Sequence, residues 1–545
     1  LKLEAQGVRF LGGAGALPKW PTTGMLWIRC EVFDHGVFNT SVRWTVPKVL
    51  EFVGSLRAAA PSMSISRETW VETTTTRCQP ELTESEAIAY WHVLSVFQKS
   101  GVGKGGASVD VRVLGLILMC QVFSPHRVRS NRIAQSSEMW PSHERSPSVS
   151  SPRHSPRGAS PRVAATAQAQ ACTGRGRDTS AMMAFVRQHL GFFLQIASLS
   201  LVAEPGSVSS DDFDVLGAIL CAGTAFDRPL ARLSEGFPEL ARVSQLKDIR
   251  ASVDRSLVWN DVVYPSGDQP PTAVPSTSVN IANVARATWF QRQSSADIEF
   301  LHITSCNDSV IYVTTQARYC LISGCHECTI VICAVSVLCT IHNCEKISVH
   351  VVSRCLRIEN STDSSAYVHC RVPPILTGDT RGIKLAPFNV MYSQMHSVLR
   401  TANLSLDPDY VDTWAHPVCC TLGSPDETLG GRSGGIDEPG SSTYHFVHPT
   451  RFQPIIVPEH GSSHPPGAAL CLPQAYDDAL KARAEEMQNF HRQISAITDE
   501  GKRQSAQQMI QGHFREWLQT TGKSRHLADL ARLMQQGQAS DAASA

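Results

Sequence analysis

Residues 301 to 388 contain a repeat of about 18 residues. Its anchor positions are 19, 19, 17 and 18 residues apart and are Ile303, Ile322, Ile341, Ile358 and Leu376. Three positions after each anchor the chain has Cys306, Cys325, Cys344, Ser361 and Asp379, and a pair of apolar residues in alternation follows in every repeat. Alternation with period two indicates a half-buried strand, and a whole pattern that recurs at a fixed interval indicates stacked strand-bearing coils. The sequence therefore predicts a parallel β-helix of about five coils.

The composition limits the classes of protein to which the chain can belong. A length of 545 residues predicts roughly three or four domains, and a hydrophobic content of 42% provides for a buried core. The 49 basic and 49 acidic residues cancel, which argues against a general nucleic-acid binder or a binder of anionic membranes. We predict no membrane span, because the apolar run 111–123 is too short and the run 182–203 carries polar residues along one helical face.

The 17 cysteines allow two interpretations, and nine of them lie between residues 306 and 370. In a secreted protein they would form disulfides, and four Asn-x-Ser/Thr sequons, at Asn39, Asn307, Asn360 and Asn403, agree with that setting. An odd number of cysteines at periodic core positions instead favours reduced thiols that act as small apolar side chains. We therefore expect a cytoplasmic protein.

The segment Cys325-His326-Glu327-Cys328 invites a metal-binding or redox interpretation. A zinc site needs a second pair of ligands at matched spacing, and the next cysteines along the chain do not provide it. Cys325 also occupies the repeat position shared by Cys306 and Cys344. We expect structural thiols here and assign no metal and no cofactor.

The remaining chain divides by composition into regions on either side of the repeat. The stretch from Met25 to Phe38 carries β-favouring residues and the turn signal Asp34-His35-Gly36, and Trp414 is predicted to anchor its region against a neighbouring surface. A capping box at Thr83 and Glu86 marks one helix start, and the spacing of Leu480, Ala484, Met487, Phe490, Ile494 and Ile497 indicates the seam of a helical hairpin or short coiled coil. The predicted regions are an N-terminal α+β or helical region 25–122, a disordered Ser/Pro/Arg-rich insertion 123–180 with candidate phosphorylation sites, a helical region 181–260, a linker 261–284, the β-helix 285–395, an irregular region 396–473, and C-terminal helices 474–535.

The period-two register divides each coil into inward and outward positions. The apolar anchors face the core, so the residues between them face out and, one coil above the next, form an external row. That row consists of His302, Leu321, Thr340 and Arg357. We predict it to be an exposed interaction surface on which Arg357 is the one certain cation. The few acidic residues of the repeat are not visibly paired, so no catalytic carboxylate pair is predicted.

Several of these residues carry a family resemblance. Ile303-x-x-Cys306 with its two equivalents, Leu356-Arg357-Ile358 and the ending Ile383-Lys-Leu-Ala-Pro-Phe388 resemble the cofactor C-like (C-CAP) domain, a right-handed β-helix found in tubulin-binding cofactor C, the retinitis pigmentosa 2 protein and cyclase-associated proteins. The flanking segments 26–33, 181–220 and 514–518 resemble the TBCC domain-containing protein 1 family. The resemblance implies an α+β multidomain protein of the cytoskeleton, at centrosomes, spindle poles or basal bodies, that positions organelles, organises microtubules and influences cell shape.

The same resemblance raises a question of catalysis. GTPase-activating relatives present an arginine finger in a Gln-x-Arg motif, and Arg357 falls at the arginine position, but Cys355 stands where the glutamine would be. Such a finger stabilises charge on the transferring phosphoryl group. We therefore expect a non-enzymatic scaffold with tubulin-related partners or partners at the microtubule-organising centre. The alternatives are a GTPase-activating protein for tubulin or an Arf-like GTPase that uses Arg357, and an extracellular carbohydrate binder with disulfides.

Overall fold

A computed structural model describes residues 24–98, 108–123, 175–198, 208–226, 229–237, 246–260, 278–291, 298–392, 394–421, 443–457, 470–521 and 523–532. Most of the predicted insertion, much of the predicted linker and the Gly/Ser-rich stretch 423–442 lie outside the described residues. Among the described helices, none combines the length and the apolar character needed to cross a bilayer.

The two predicted N-terminal regions form one unit. Its strands are β1 Met25–Ile28, β2 Ser64–Ile65, β3 Val109–Asp110, β4 Leu220–Gly223 and β5 Leu257–Val258. Its helices are α1 Val46–Ala59, α2 Arg67–Thr76, α3 Glu84–Ser95, α4 Val111–Cys120, α5 Arg175–Ala197, α6 Ser210–Val215, α7 Leu233–Gly236 and α8 Leu246–Ser256. Strand β1 lies between β4 and β5, and a single hydrophobic core runs through both regions. The predicted separation of 25–122 from 181–260 is therefore replaced by one N-terminal unit, because a shared sheet and core join them.

Two local predictions in this unit had different outcomes. The capping box is confirmed, since the Thr83 side chain accepts from the Glu86 amide and the Glu86 side chain accepts from the Thr83 amide. The β-favouring stretch from Met25 to Phe38 forms a strand only as far as Ile28, and its turn signal Asp34-His35-Gly36 lies in a buried helical turn at Val32–Gly36. The β-favouring residues there are overridden because packing, rather than intrinsic preference, decides strand formation.

The repeat forms the predicted parallel β-helix. Its strands are β6 Ser278–Ala282, β7 Thr288–Gln291, β8 Ile298–Thr304, β9 Val310–Ser323, β10 Thr329–His342, β11 Ser348–Glu359, β12 Ser365–Cys370, β13 Ile375–Gly378 and β14 Ile383–Pro387. The anchors pair in register from coil to coil, as Ile303 with Ile322, Ile322 with Ile341, Ile341 with Ile358 and Ile358 with Leu376. The ladder extends beyond the predicted bounds of 285–395, because β6 precedes it and two later strands, β16 Val418–Thr421 and β17 Tyr444–Phe446, add to β13 and β14.

The cysteine positions of the repeat lie at the turn of each coil. Cys306, Cys325 and Cys344 are buried free thiols, and the Cys325 thiol donates to Ile303 O of the preceding coil at 3.7 Å. A hydrogen bond with the Cys325 thiol, together with burial, raises the pKa of the Cys306 thiol well above its usual value. These cysteines therefore pack in the core as the register predicts. Cys328 is also a buried free thiol, and burial raises its pKa to about 11.

Two glycines at the same turn position provide a matched test of coil stacking. Gly378 and Gly324 have similar left-handed backbones (φ of 66° and 62°), but a Cβ on Gly378 would collide with Asn360 Oδ1, whereas the nearest atom to a Cβ on Gly324 is 3.9 Å away. We expect Gly324→Ala to cost only the left-handed strain of about 1–2 kcal/mol. Gly378→Ala should cost about 1 kcal/mol more, because Asn360 Oδ1 must leave the Asp379 amide, which donates to it at 2.9 Å. Urea unfolding of both variants measures the difference, and equal losses would contradict this account.

The region after the β-helix is more ordered than predicted. It contains β15 Val390–Met391, α9 Met395–Thr401 and β18 Ile455–Ile456, which pairs with β15. The predicted anchor Trp414 is buried, with ring centroids 5.4 Å from Phe446 and 5.7 Å from Tyr476. The C-terminal helices are α10 Gln474–Ser495 and α11 Glu500–Thr520, followed by helical residues 523–532.

Candidate functional site

The predicted outward row exists, but it is not exposed. His302, Leu321, Thr340 and Arg357 are cross-strand neighbours on successive coils, as the register predicts. Their exposed fractions are 1%, 7%, 0% and 1%. The prediction of a solvent-exposed docking row is therefore wrong, because the N-terminal unit lies over this face of the β-helix.

Arg357 is the centre of this contact. Its Nη1 donates to Val37 O at 2.8 Å and its Nη2 donates to Asp34 O at 3.1 Å. Nη1 lies 3.3 Å from Glu359 Oε2, and the guanidinium lies 5.6 Å from the centroid of the Phe38 ring. Arginine suits this position because its planar fork can donate to several acceptors at once. The one predicted surface cation is thus a buried link between the two units.

Glu359 provides the charge that balances Arg357. The Asn39 amide donates to Glu359 Oε1 at 2.9 Å, and His342 Nδ1 lies 3.5 Å from Oε2. Burial by itself would raise the pKa of Glu359, but the Arg357 guanidinium, together with His342 and the Asn39 amide, outweighs it and lowers the pKa to about 2. The carboxylate is therefore held in its charged form at the interface.

The other members of the row are buried against different neighbours. Thr340 Oγ1 and His35 Nδ1 of the N-terminal unit share a hydrogen bond of 2.8 Å. His302 Nδ1 lies 2.9 Å from Asn280 Oδ1 on the neighbouring coil, so its partner is within the β-helix. Leu321 lies on the coil between those of His302 and Thr340 and contributes apolar surface. The structure therefore brings Thr340 and Arg357 into polar contact with the N-terminal unit.

A second outward row, which the sequence reasoning missed, supplies most of the apolar contact. It consists of Phe300, Tyr319, Leu338 and Cys355, which are neighbours across β8 to β11 and belong to the core of the N-terminal unit. The Tyr319 ring stacks between rings of both units, with centroids 5.3 Å from His35, 6.2 Å from Phe97 and 5.7 Å from Phe300. The signal was present in the sequence, because a strand that is apolar on both faces is buried on both faces.

The chemistry open to this site is that of a structural interface. The Arg357 guanidinium lies within the fold, whereas its neighbour Arg354 on the same strand is exposed. Over the described ranges, no group of three or more His, Cys, Asp or Glu side chains is arranged to hold a metal ion. In this arrangement Arg357 positions the N-terminal unit and is not presented to a nucleotide.

We predict that acid weakens this interface through Glu359. A carboxyl whose pKa is lowered in the folded state stabilises the fold above its unfolded pKa of about 4.5, and that contribution is lost as the pH falls from about 4.5 to about 2. We expect the loss to amount to about 2 kcal/mol between pH 6 and pH 3 and to reach about 3 kcal/mol only below pH 2. Urea unfolding measured at pH 6 and pH 3 should show a smaller pH dependence in Glu359→Gln than in the native chain. The half-buried Glu345→Gln variant, whose carboxylate lies at a turn outside the interface, is the control and should keep the native pH dependence.

The fold and the register together define a class of domain. It is a parallel β-helix whose turn cysteines face the core and whose outer face bears Arg357 on strand β11. Comparison with protein families agrees, since residues 298–416 match the family described as Tubulin binding cofactor C. Residues 298–416 are therefore similar to that family, and the resemblance seen in the sequence is confirmed for this part of the chain.

Curated relatives extend the similarity outside the domain. TBCC domain-containing protein 1 of Gallus gallus is 25% identical over 260 residues, covering 47% of this chain and 43% of the relative. The proteins of the same name from Bos taurus and Homo sapiens are 26% and 24% identical, covering 42% of this chain and 38% of each relative. The matched stretches thus span less than half the length of these relatives.

Proposed function

We propose that the protein is a non-enzymatic cytoskeletal scaffold of the tubulin-cofactor-C-like type. In this proposal it acts in the cytoplasm at a microtubule-organising centre (centrosome, spindle pole or basal body), where it contributes to organelle positioning and microtubule organisation. Its partners are tubulin-related proteins or proteins of the organising centre. The similarity to TBCC domain-containing protein 1 supports this class of role.

The observation that carries the non-enzymatic part is the burial of Arg357. A GTPase-activating arginine must reach the phosphates of a nucleotide bound to another protein. Here both terminal nitrogens of Arg357 donate to carbonyls of the N-terminal unit, and the side chain is 1% exposed. A partner could approach this guanidinium only after the N-terminal unit had moved away.

Proximity labelling from the tagged full-length chain tests the cellular role. We expect labelled proteins to be enriched in tubulin-related and organising-centre components, relative to the labelling enzyme expressed alone. Depletion of the protein should displace the organising centre or the organelles that it positions. Labelling that does not differ from the control, together with normal organelle position after depletion, would contradict the proposal.

GTPase activation, the second candidate, has one observation in its favour, which is that Arg357 lies on the outward face of its strand. The test is GTP hydrolysis by tubulin and by an Arf-like GTPase with and without the full chain. The scaffold proposal expects no stimulation. Stimulation that is lost in Arg357→Lys and kept in the exposed control Arg354→Lys would establish the second candidate instead, because lysine keeps the charge but lacks the planar fork.

A further inference from the structure

The C-terminal helical hairpin, formed by α10 and α11, carries an unusual share of exposed apolar side chains. Six of the twelve large apolar residues exposed in the described part of the chain lie here, and they are Met487, Phe490, Met509, Ile510, Phe514 and Trp517. Single exposed apolar residues are ordinary, but a contiguous set marks an interaction surface. The predicted seam residues Met487 and Phe490 are 56% and 46% exposed, so the described residues do not cover them.

The hairpin is held at both ends against the β-helix. At its start, Tyr476 Oη donates to Val447 O at 2.6 Å and Arg483 Nη1 donates to Phe452 O at 2.8 Å. Past its end, Thr288 Oγ1 shares a hydrogen bond of 2.8 Å with His526 Nδ1, and the Thr288 amide donates to Asp529 Oδ2 at 3.2 Å. The exposed apolar residues between these anchors are therefore presented on a fixed element.

The two helices share an open crevice instead of filling each other's apolar faces. Phe490 and Ile494 of α10 and Met509 and Ile510 of α11 line this crevice of about 570 Å³. On α11, Ile510, Phe514 and Trp517 are spaced by four and three residues and lie on one helical face. A crevice between helices with this spacing fits the apolar face of another helix.

We propose that this surface binds the same hairpin of a second copy of the chain, so that two hairpins form an antiparallel four-helix bundle. A two-fold interface uses one self-complementary surface on both copies. Each hairpin has the crevice and also the apolar face of Ile510, Phe514 and Trp517. The apolar face of each copy can therefore pack into the crevice of the other. Helical hairpins that pair in this way build a bundle core from facing apolar positions.

The exposed area fits a dimer. Phe490, Phe514 and Trp517 have about 150–250 Å² each, and the side chains of Met487, Met509 and Ile510 are somewhat smaller; because all six are exposed to about half, they present on the order of 500 Å² of apolar surface per copy. Two copies would then bury roughly 1,000 Å², which is the least that a specific protein interface needs. The area is thus sufficient for a specific dimer without any contribution from the β-helix.

The charges of the hairpin favour a second copy over a polyanion. Helices α10 and α11 together have six acidic and six basic residues, so two copies do not repel each other. Nucleic acids and anionic membranes select surfaces with a strong basic excess, which these helices lack.

The test is the mass of the purified full-length chain by analytical ultracentrifugation over a range of concentrations. We expect the native chain to form a dimer and Phe514→Glu to weaken dimerisation at least tenfold, because a charge would enter the apolar contact. Gln508→Glu places the same charge on the opposite face of α11 and should leave the dimer intact. Circular dichroism should show equal helix content in all three proteins.

Three results would overturn the proposal. These are a native chain that stays monomeric at tens of micromolar, a dimer that withstands Phe514→Glu, and a monomer whose hairpin binds a helix of another protein. None of them bears on localisation at an organising centre, so the two proposals fail separately.

Discussion

Replacing Arg357 with methionine should lower the free energy of unfolding by about 3–5 kcal/mol, because the change leaves Glu359 as a buried charge without its partner. It also removes the donors that Val37 O and Asp34 O accept from. Urea unfolding gives the magnitude. Hydrogen exchange of residues 32–39 should accelerate, since these residues lie directly over the guanidinium.

The same strand supplies the control for this prediction. Arg354→Met removes an exposed arginine three residues away and should change the stability by no more than about 0.5 kcal/mol. The double variant Arg357→Met with Glu359→Leu should cost less than the sum of the two single variants, because neither charge then remains unpaired. Equal effects of Arg357→Met and Arg354→Met would mean that the buried ion pair does not hold the N-terminal unit in place.

Removing the Tyr319 ring should have an effect of similar size. Its contacts with His35, Phe97 and Phe300 join the two units, and truncation of a large buried aromatic side chain to alanine costs about 3–5 kcal/mol. We expect Tyr319→Ala to lower the free energy of unfolding by this amount and to release the N-terminal unit. Limited proteolysis should then cleave between the N-terminal unit and the β-helix.

Tyr319→Phe separates the ring from its hydroxyl. The hydroxyl oxygen is buried and has no hydrogen-bond partner among the described residues. Because an unsatisfied buried polar group is unfavourable, its removal should leave the stability unchanged or raise it by about 1 kcal/mol. A Tyr319→Phe variant as unstable as Tyr319→Ala would show that the hydroxyl, rather than the stacked ring, maintains the contact.

The coils of the β-helix could be predicted because the residue pattern that specifies each coil is local and recurs along the sequence. Each anchor, from Ile303 to Leu376, stands at a nearly constant spacing, and every coil places its strand directly on the previous one. The inward direction of Cys306, Cys325 and Cys344 follows from the same register. The capping box at Thr83 was also predictable, since it involves residues only three positions apart.

The surroundings of Arg357 were not predictable from that register. Its partners Asp34 and Val37 are more than 300 residues away in the sequence, and the stretch that contains them was predicted only as a β-favouring segment with a turn. The apolar outward residues Phe300, Tyr319 and Leu338 hinted that the face was covered, but they do not name the covering segment.

The sequence alone therefore determined the β-helix, its register and the direction in which each side chain leaves the strand, because backbone pairing and period-two alternation set these locally. The tertiary structure decided whether an outward side chain meets water or protein. Arg357 leaves its strand in the predicted direction, yet it is buried because a distant part of the chain packs onto that face and accepts hydrogen bonds from both of its terminal nitrogens. Burial depends on contacts between segments far apart in the sequence, and the local pattern does not specify which segment makes them.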